Sequence, residues 1–269
     1  MDTTGVEVVS GGRTAAYNLL LSSTGECHTG AGDMDVHNFI STDMVEQHKV
    51  SLVSSSLVVL DGNIPSETIH YVLRQCQQAG VSVWFEPTDI HKAAKPFQSD
   101  SWKMIDVLSP NFNELVIMCK AAGMPETSVP NASELSDEEV VDKAKDMALF
   151  LGKHIKIVIA TLGHRGVVIC RRGTADQPIF SVGSDGCSRQ LLAPTITHPQ
   201  VRFYPAPSCQ PVPVSVSGAG DCWNAGFIFA ALRGNAESVC ITAGFNAALC
   251  SLAVASAVPT NINVNKNVN

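Results

Sequence analysis

Apolar positions along the chain switch between two spacings, and the switches lay out a fold. Residues 57–60 form a short unbroken apolar run of the kind a strand buried on both faces requires. Behind it Pro65 suits a first helical turn, and Ile69, Val72, Leu73 and Cys76 recur at i, i+3, i+4 and i+7. Gly80 then stops the helix. Residues 81–85 make the next strand and 105–108 another. Strand–helix–strand order of this kind implies a parallel sheet with right-handed crossovers. A helix starts near Asn111 or Phe112 and carries Leu115, Val116 and Met118. Ser136 and Glu139 have the spacing of a capping box for a helix over 137–151. Residues 155–161, 167–170 and 201–204 read as further strands. Trp223, Phe227, Ala230 and Ala231 lie on one face of a helix that Gly234 can end, and 236–254 reads as a helix of small residues.

Three regions lack this order. Residues 5–9, 13–21 and 27–34 read as strands separated by Gly-Gly and Ser-Ser-Thr-Gly turns. Residues 171–199 carry Gly, Ser, Thr, Pro and Asp without periodicity, and read as an insertion or flexible excursion. Residues 261–269 are a polar tail, read as disordered. There is no internal repeat and no domain linker, so the pattern describes a single α/β domain: a doubly wound, mostly parallel sheet flanked by helices.

Composition narrows the function. A 269-residue chain with 45% hydrophobic residues supports a large core, and no apolar run reaches the length of a membrane span. A formal net charge of −7 and a pI near 5.6 argue against a general nucleic-acid or membrane-surface role. The nine cysteines are an odd number without a Cys-x-x-Cys pair, which fits buried thiols in a reduced, cytoplasmic setting better than a disulfide scaffold or zinc site. A targeting signal on a longer product would be invisible in this stretch. Asn131-Ala132-Ser133 has the form of a glycosylation sequon and reads as a plain loop.

Candidate chemistry concentrates at residues 215–234. Gly218, Ala219 and Gly220 carry almost no side chain and run straight into a helix. Free N–H groups and the helix dipole there favour an anion. Asp221 stands at the mouth of that turn, placed to accept a proton from an attacking hydroxyl. Gly30-Ala31-Gly32-Asp33 repeats the same four letters, but no apolar helical face follows it. That copy is assigned to a hairpin of strands.

In parallel sheets ligands sit beyond the strands' carboxyl ends. Asp61, Asn63, Glu86, Thr88 and Lys92 are placed there, although turn and cap chemistry explains each one equally well. Asn111 and Glu114, three apart, read either as a helix cap or as oxygen ligands for Mg²⁺. Thr161-Leu162-Gly163-His164-Arg165-Gly166 reads as a hairpin turn or as a backbone cradle, with Arg165 a phosphate contact or, more readily, a solvated turn residue.

Taken in order, Asn-x-x-Glu at 111–114, Thr-x-Gly-x-x-Gly at 161–166 and Gly-Ala-Gly-Asp at 218–221 resemble the ribokinase-like (PfkB) family of sugar and nucleoside kinases. Ser215-Val216-Ser217 before the last motif, and the Glu86-Pro87-Thr88…Lys92 pattern, resemble its pseudouridine kinase branch. The resemblance runs from about residue 13 to 259, leaving out 171–199. It implies transfer of the ATP γ-phosphoryl group to a sugar hydroxyl, most readily the ribose 5′-hydroxyl of pseudouridine. It also implies Asp221 as base, Gly218, Ala219 and Gly220 as the anion hole, and Mg²⁺ near Asn111 and Glu114. Asn111, Thr161, Gly163, Gly166 and Asn246 fall on the nucleotide side. Tyr17, Asn18, Asp61, Asn63 and Lys92 fall on the substrate side, with residues 5–36 a partial β lid and 105–259 the nucleotide-binding part. The blander account of Tyr17 and Asn18 is a strand residue and a turn-facing amide. The expected small-molecule partner is a nucleoside or sugar; a monovalent cation and a homodimer are left open. The helix dipole is expected to make Asp221 more acidic.

The chain departs from the family in one respect. Its first residues resemble an internal stretch of such an enzyme, without the opening strand bearing a substrate-binding Asp and without Gly-Gly-x-x-x-Asn. Two rival readings follow: a catalytically impaired nucleotide-binding or regulatory protein, and a kinase of another sugar or nucleoside.

Overall fold

Strands send alternate side chains to opposite faces, so a sheet that is apolar on both sides has to be covered twice. The computed structural model shows this arrangement. It describes residues 2–21, 27–125, 135–185, 189–208 and 213–260. The chain begins with a hairpin of β1 (Ala16–Leu21) antiparallel to β2 (Cys27–Asp33). Two short helices, α1 (Thr42–Gln47) and α2 (Lys49–Ser54), lead into β3 (Leu57–Asp61). There follow α3 (Ser66–Ala79), β4 (Ser82–Glu86), β5 (Val107–Leu108), α4 (Phe112–Ala121), α5 (Asp137–Leu151), β6 (Ile157–Thr161) and β7 (Gly166–Arg171). A second hairpin, β8 (Phe180–Val182) with β9 (Arg189–Leu191), precedes β10 (Gln200–Pro205). The chain then runs through α6 (Ala219–Ala231) and α7 (Glu237–Leu252).

The central sheet has six strands in the order β10-β7-β6-β5-β4-β3. β3 to β6 run parallel, while β7 and β10 are antiparallel additions at one edge. On one face Val58, Leu60, Val83, Phe85, Val158 and Ala160 pack against α3, α4 and α5. On the other, Trp84, Val107, Ile157 and Ile159 pack against Trp223 and Phe227 of α6 and Ile241 of α7. Trp84 and Phe227 join the layers directly, their ring centroids 5.7 Å apart, and the Trp84 indole donates to Ser109 Oγ at 2.6 Å.

The capping box of α5 is formed: Ser136 Oγ accepts from the Glu139 amide, and the Glu139 carboxylate accepts from the Ser136 amide. The Gly-Ala-Gly-Asp copy at 30–33 is part of the β1–β2 hairpin. Gly30 and Gly32 sit under the Tyr17 ring, where an added Cβ would come within 2.5 and 2.4 Å of ring atoms.

Two expectations are corrected. Residues 5–9 are not a strand, and the first strand begins at Ala16, not at 13. Val6 and Val8 are 71% and 96% exposed, so no partner or core rewards an extended pairing there, and Arg13 instead pairs with Asp33 at 2.6 Å. Residues 171–199 are not an irregular excursion but carry the β8–β9 hairpin. Ile179 and Phe180 are each 1% exposed and fill the second core. Arg171 holds the base of this segment through the carbonyls of Thr174, Gln177 and Pro178. The Ser-Ser-Thr-Gly turn at 22–25, the sequon at 131–133 and the tail at 261–269 lie outside the described residues.

Candidate active site

The carboxyl ends of β3 and β4 open toward the first turn of α6, and a cavity of about 390 Å³ lies between them. Asp61, Asn63, Glu86, Thr88, Asp221 and Asn224 line it, with Trp84 at its floor. Two loops and one helix start, remote in sequence, thus meet at the edge where a parallel sheet places its ligands.

The turn before α6 is built so that only glycine fits at 218. Its φ is +77°, and a Cβ there would fall 2.2 Å from the Ala257 carbonyl. Gly220 differs: its conformation is helical and nothing lies within 4 Å of an added Cβ. Nothing inside the protein demands a glycine at 220, whereas close approach of a ligand to the backbone would. The Ala219 amide makes a long 3.3 Å bond to the Val216 carbonyl. Among the described residues the amides of Gly218, Gly220 and Asp221 have no backbone acceptor, and no side chain caps the helix. Those orphan donors and the dipole favour an anion at this spot.

The acidity expected of Asp221 is not what the site produces. Its side chain is open to the cleft, yet the protein around it and, second, the charge of Asp61 raise its pKa above the ordinary aspartate value. Desolvation and a like charge thus act against the helix dipole at this position. A raised pKa makes Asp221 a better proton acceptor than expected. Glu86 is shifted further, up to about 8, chiefly by burial and then by the charges of Glu114 and Asp221. Glu114, 2% exposed, rises to about 7, chiefly through burial.

On the β3 side Asp61 is held by its neighbour. Asn63 donates from its backbone at 3.0 Å and from its side-chain amide at 2.6 Å, and Lys92 Nζ donates to Asn63 Oδ1 at 2.9 Å. Lys92 also pairs with Asp89 at 2.7 Å. Lys95 Nζ, unremarked in the sequence, donates to the Gly62 and Ile64 carbonyls at 2.7 and 2.9 Å and fixes the same turn from below. Thr88 is the one non-glycine residue among those described with a positive φ, at +71°. A β-branched residue there costs on the order of 1–3 kcal/mol.

Asn111 and Glu114 form the cap. Asn111 Oδ1 accepts from the Glu114 amide at 3.0 Å, and Glu114 Oε2 accepts from the Asn111 amide at 2.8 Å. The cap occupies one oxygen of Glu114, and the carboxyl still faces the charges of Asp89 and Asp221. Asn111 also bridges to Thr161, whose amide donates to the Pro110 carbonyl at 2.9 Å, so those two motifs meet at the sheet edge. Gly163 and Gly166 both have positive φ, +61° and +130°, and at Gly166 a Cβ would fall 2.1 Å from the Tyr204 carbonyl. Arg165 is committed to Asp137 at 2.6 Å. Asn246 is buried in α7, and Tyr17 and Asn18 are exposed on β1, outside the cavity lining.

Asn224 was missed by the sequence reading. It follows Asp221 by three residues, hence on the same helical face, and its Oδ1 is buried without a partner. Among the described residues no group of three His, Cys, Asp or Glu could hold a metal by itself. Nor is any described helix long and apolar enough to cross a membrane. A second cavity, about 370 Å³, lies under the 172–195 segment at the opposite end of β6. Of the charges at its wall, Arg171 is matched by Glu237 and Lys156 by Asp106, both at 2.6 Å, while Arg172 donates to the Thr197 carbonyl at 3.3 Å.

Comparison with known proteins gives the family and the fold. The family model described as pfkB family carbohydrate kinase matches residues 1–262. A pseudouridine kinase of Arabidopsis thaliana is 28% identical over 165 residues, covering 60% of this chain and 43% of that protein. A carbohydrate kinase from Agrobacterium tumefaciens superposes with a TM-score of 0.62 at 18% identity, over 94% of this chain and 66% of that one. An Arabidopsis thaliana ribokinase solved with ribose and ATP gives a TM-score of 0.55 at 19% identity, over 80% and 56% of the two chains. The chain thus spans less than half the length of that curated relative and about two thirds or less of these solved neighbours.

Proposed function

Because the chain belongs to the pfkB family of carbohydrate kinases, we propose that it transfers the γ-phosphoryl group of ATP to a hydroxyl of a ribose-bearing small molecule, foremost the 5′-hydroxyl of pseudouridine. The observation that carries this reading is the cavity in which Asp221, at a helix start with free amides, faces Asp61 and Asn63. The similarity to a pseudouridine kinase, and to a ribokinase bound to ribose and ATP, supports the choice of acceptor and donor.

In this reading Asp61, Asn63 and Lys92 orient the acceptor, and Asp221 takes the proton of the attacking hydroxyl. Its raised pKa suits proton removal in a loose phosphoryl-transfer transition state. The amides at 218–221 receive the charge that develops on the transferred group. Thr161, Gly163, Gly166 and Asn246 lie on the nucleotide side. The donor set fits Mg²⁺: oxygen atoms only, with a half-buried carboxyl at Glu86 and a buried one at Glu114 whose repulsion a cation would relieve. Asn111 and Glu114 would hold it, and bound with the nucleotide it would neutralise phosphate charge.

The test is a coupled assay offering pseudouridine, ribose and adenosine with Mg²⁺ and ATP, beside calorimetry of ATP binding. Phosphorylated pseudouridine in preference to the others supports the reading. Preferential turnover of ribose or adenosine replaces the acceptor. Nucleotide binding without any product selects a nucleotide-binding protein over an enzyme.

A further inference from the structure

We infer that Thr88 is a positioning residue that locks the acceptor-side turn after β3 to the carboxylate-bearing turn after β4; this rests on the kinase reading above. Thr88 holds its φ of +71° without packing to enforce it, since its side chain is exposed to the cleft. What holds it are hydrogen bonds in two directions. Its Oγ1 accepts from the Gly62 amide at 3.0 Å, across to the β3 turn, and its own amide donates to Glu86 Oε2 at 2.8 Å. Backbone held in a sparsely populated region by such bonds is a mark of a functional constraint.

The two turns are also fitted sterically. A Cβ on Gly62 would fall 2.3 Å from the Pro87 carbonyl and 2.9 Å from Lys92 Cβ, so the backbones touch at the point Thr88 bridges. Gly62 lies between Asp61 and Asn63, and Glu86 stands beside Asp61 as its partner on the neighbouring strand, both lining the cavity. One residue, without being asked to touch the acceptor, therefore fixes the groups that would orient it against the neighbouring Glu86 carboxyl. The alternative of a plain strained turn would leave the Gly62 amide bonded within its own loop, whereas it crosses 26 positions to reach Thr88.

Three substitutions separate the contributions. Thr88→Val keeps the β-branch and removes the acceptor oxygen; Thr88→Ser keeps the oxygen; Thr88→Gly relieves the backbone and loses the oxygen. The expected result is a roughly tenfold rise in acceptor KM for Val and Gly, with the ATP dissociation constant within about twofold of the unsubstituted chain, and recovery of most of the loss by Ser; the tenfold figure corresponds to about 1.4 kcal/mol, the size of one hydrogen bond. Hydrogen–deuterium exchange at the Gly62 amide supplies a readout independent of activity. Exchange should quicken in Val and Gly and stay slow in Ser. Unchanged Gly62 exchange in Thr88→Val, or acceptor KM unchanged in both Val and Gly, overturns the inference. If the unsubstituted chain phosphorylates no acceptor, the functional reading fails, and the exchange arm then decides by itself whether the lock exists.

Discussion

Asp61, the last residue of β3, and Asp221, in the first turn of α6, line one cavity from opposite sides, and the charge of Asp61 adds to burial in raising the pKa of Asp221. The coupling makes a pH prediction. A base whose pKa is raised loses activity on the acid side earlier than an ordinary aspartate would. The acid limb of kcat/KM should therefore lie above the usual aspartate range. Asp61→Asn, whatever it does to acceptor KM, should move that limb to lower pH. A limb that stays in place in the variant would remove the coupling from the account.

Glu86 makes a second pH prediction, about stability. Its carboxyl is raised from 4.5 to about 8, so the folded state binds a proton that the unfolded state has released. Stability from this group is complete below about pH 4.5, the unfolded value, and is lost as pH rises through about 8. The ligand-free chain should thus melt at a higher temperature near pH 6 than near pH 8.5. Glu86→Gln should flatten that slope, as measured by thermal unfolding across the range.

The two glycines of the anion turn should separate fold from function. Gly218→Ala places a Cβ 2.2 Å from a carbonyl at a positive φ, and should lower the melting temperature markedly. Gly220→Ala meets nothing within 4 Å and sits in a helix, where alanine is favoured by about 1 kcal/mol. It should leave the melting temperature unchanged or higher while weakening ATP binding at least severalfold. Differential scanning fluorimetry and calorimetry on the two variants read both effects.

How far the sequence foretold this site depends on what each signal requires. The helix over Ile69–Cys76 and the cap at Ser136 were legible because their spacing is local. Asp221 and its turn were legible for the same reason. The pKa of Asp221 was not, because it depends on Asp61, 160 positions away, and on burial that no window contains. Residues 5–9 looked like a strand because alternation says nothing about whether a partner exists. The 171–199 segment hid two buried residues, Ile179 and Phe180, among polar ones too dense to show a period. Asn224 could have been found from its i+3 relation to Asp221, and the Thr88 φ could not have been found at all.

That segment's anchor gives a prediction remote from the cavity. Glu237, 0% exposed, accepts from Arg171 Nε, Arg202 and the Tyr204 hydroxyl. Burial works to raise its pKa, but hydrogen bonds from Arg202 and Tyr204 keep it below the ordinary value. Glu237→Ala leaves two largely buried guanidiniums uncompensated and should cost about 3–5 kcal/mol. Urea unfolding should show the loss, and loss of under about 1 kcal/mol would mean the arginines find other partners.

The central claim is that Asp221 removes the proton from an acceptor hydroxyl at this helix start. Its most direct test is single-turnover phosphoryl transfer from ATP to pseudouridine by the unsubstituted chain and by Asp221→Asn, with ATP affinity measured on both. The account predicts a rate lower by about 10²–10⁴-fold in the variant with ATP affinity nearly unchanged. Equal rates in the two proteins would contradict it.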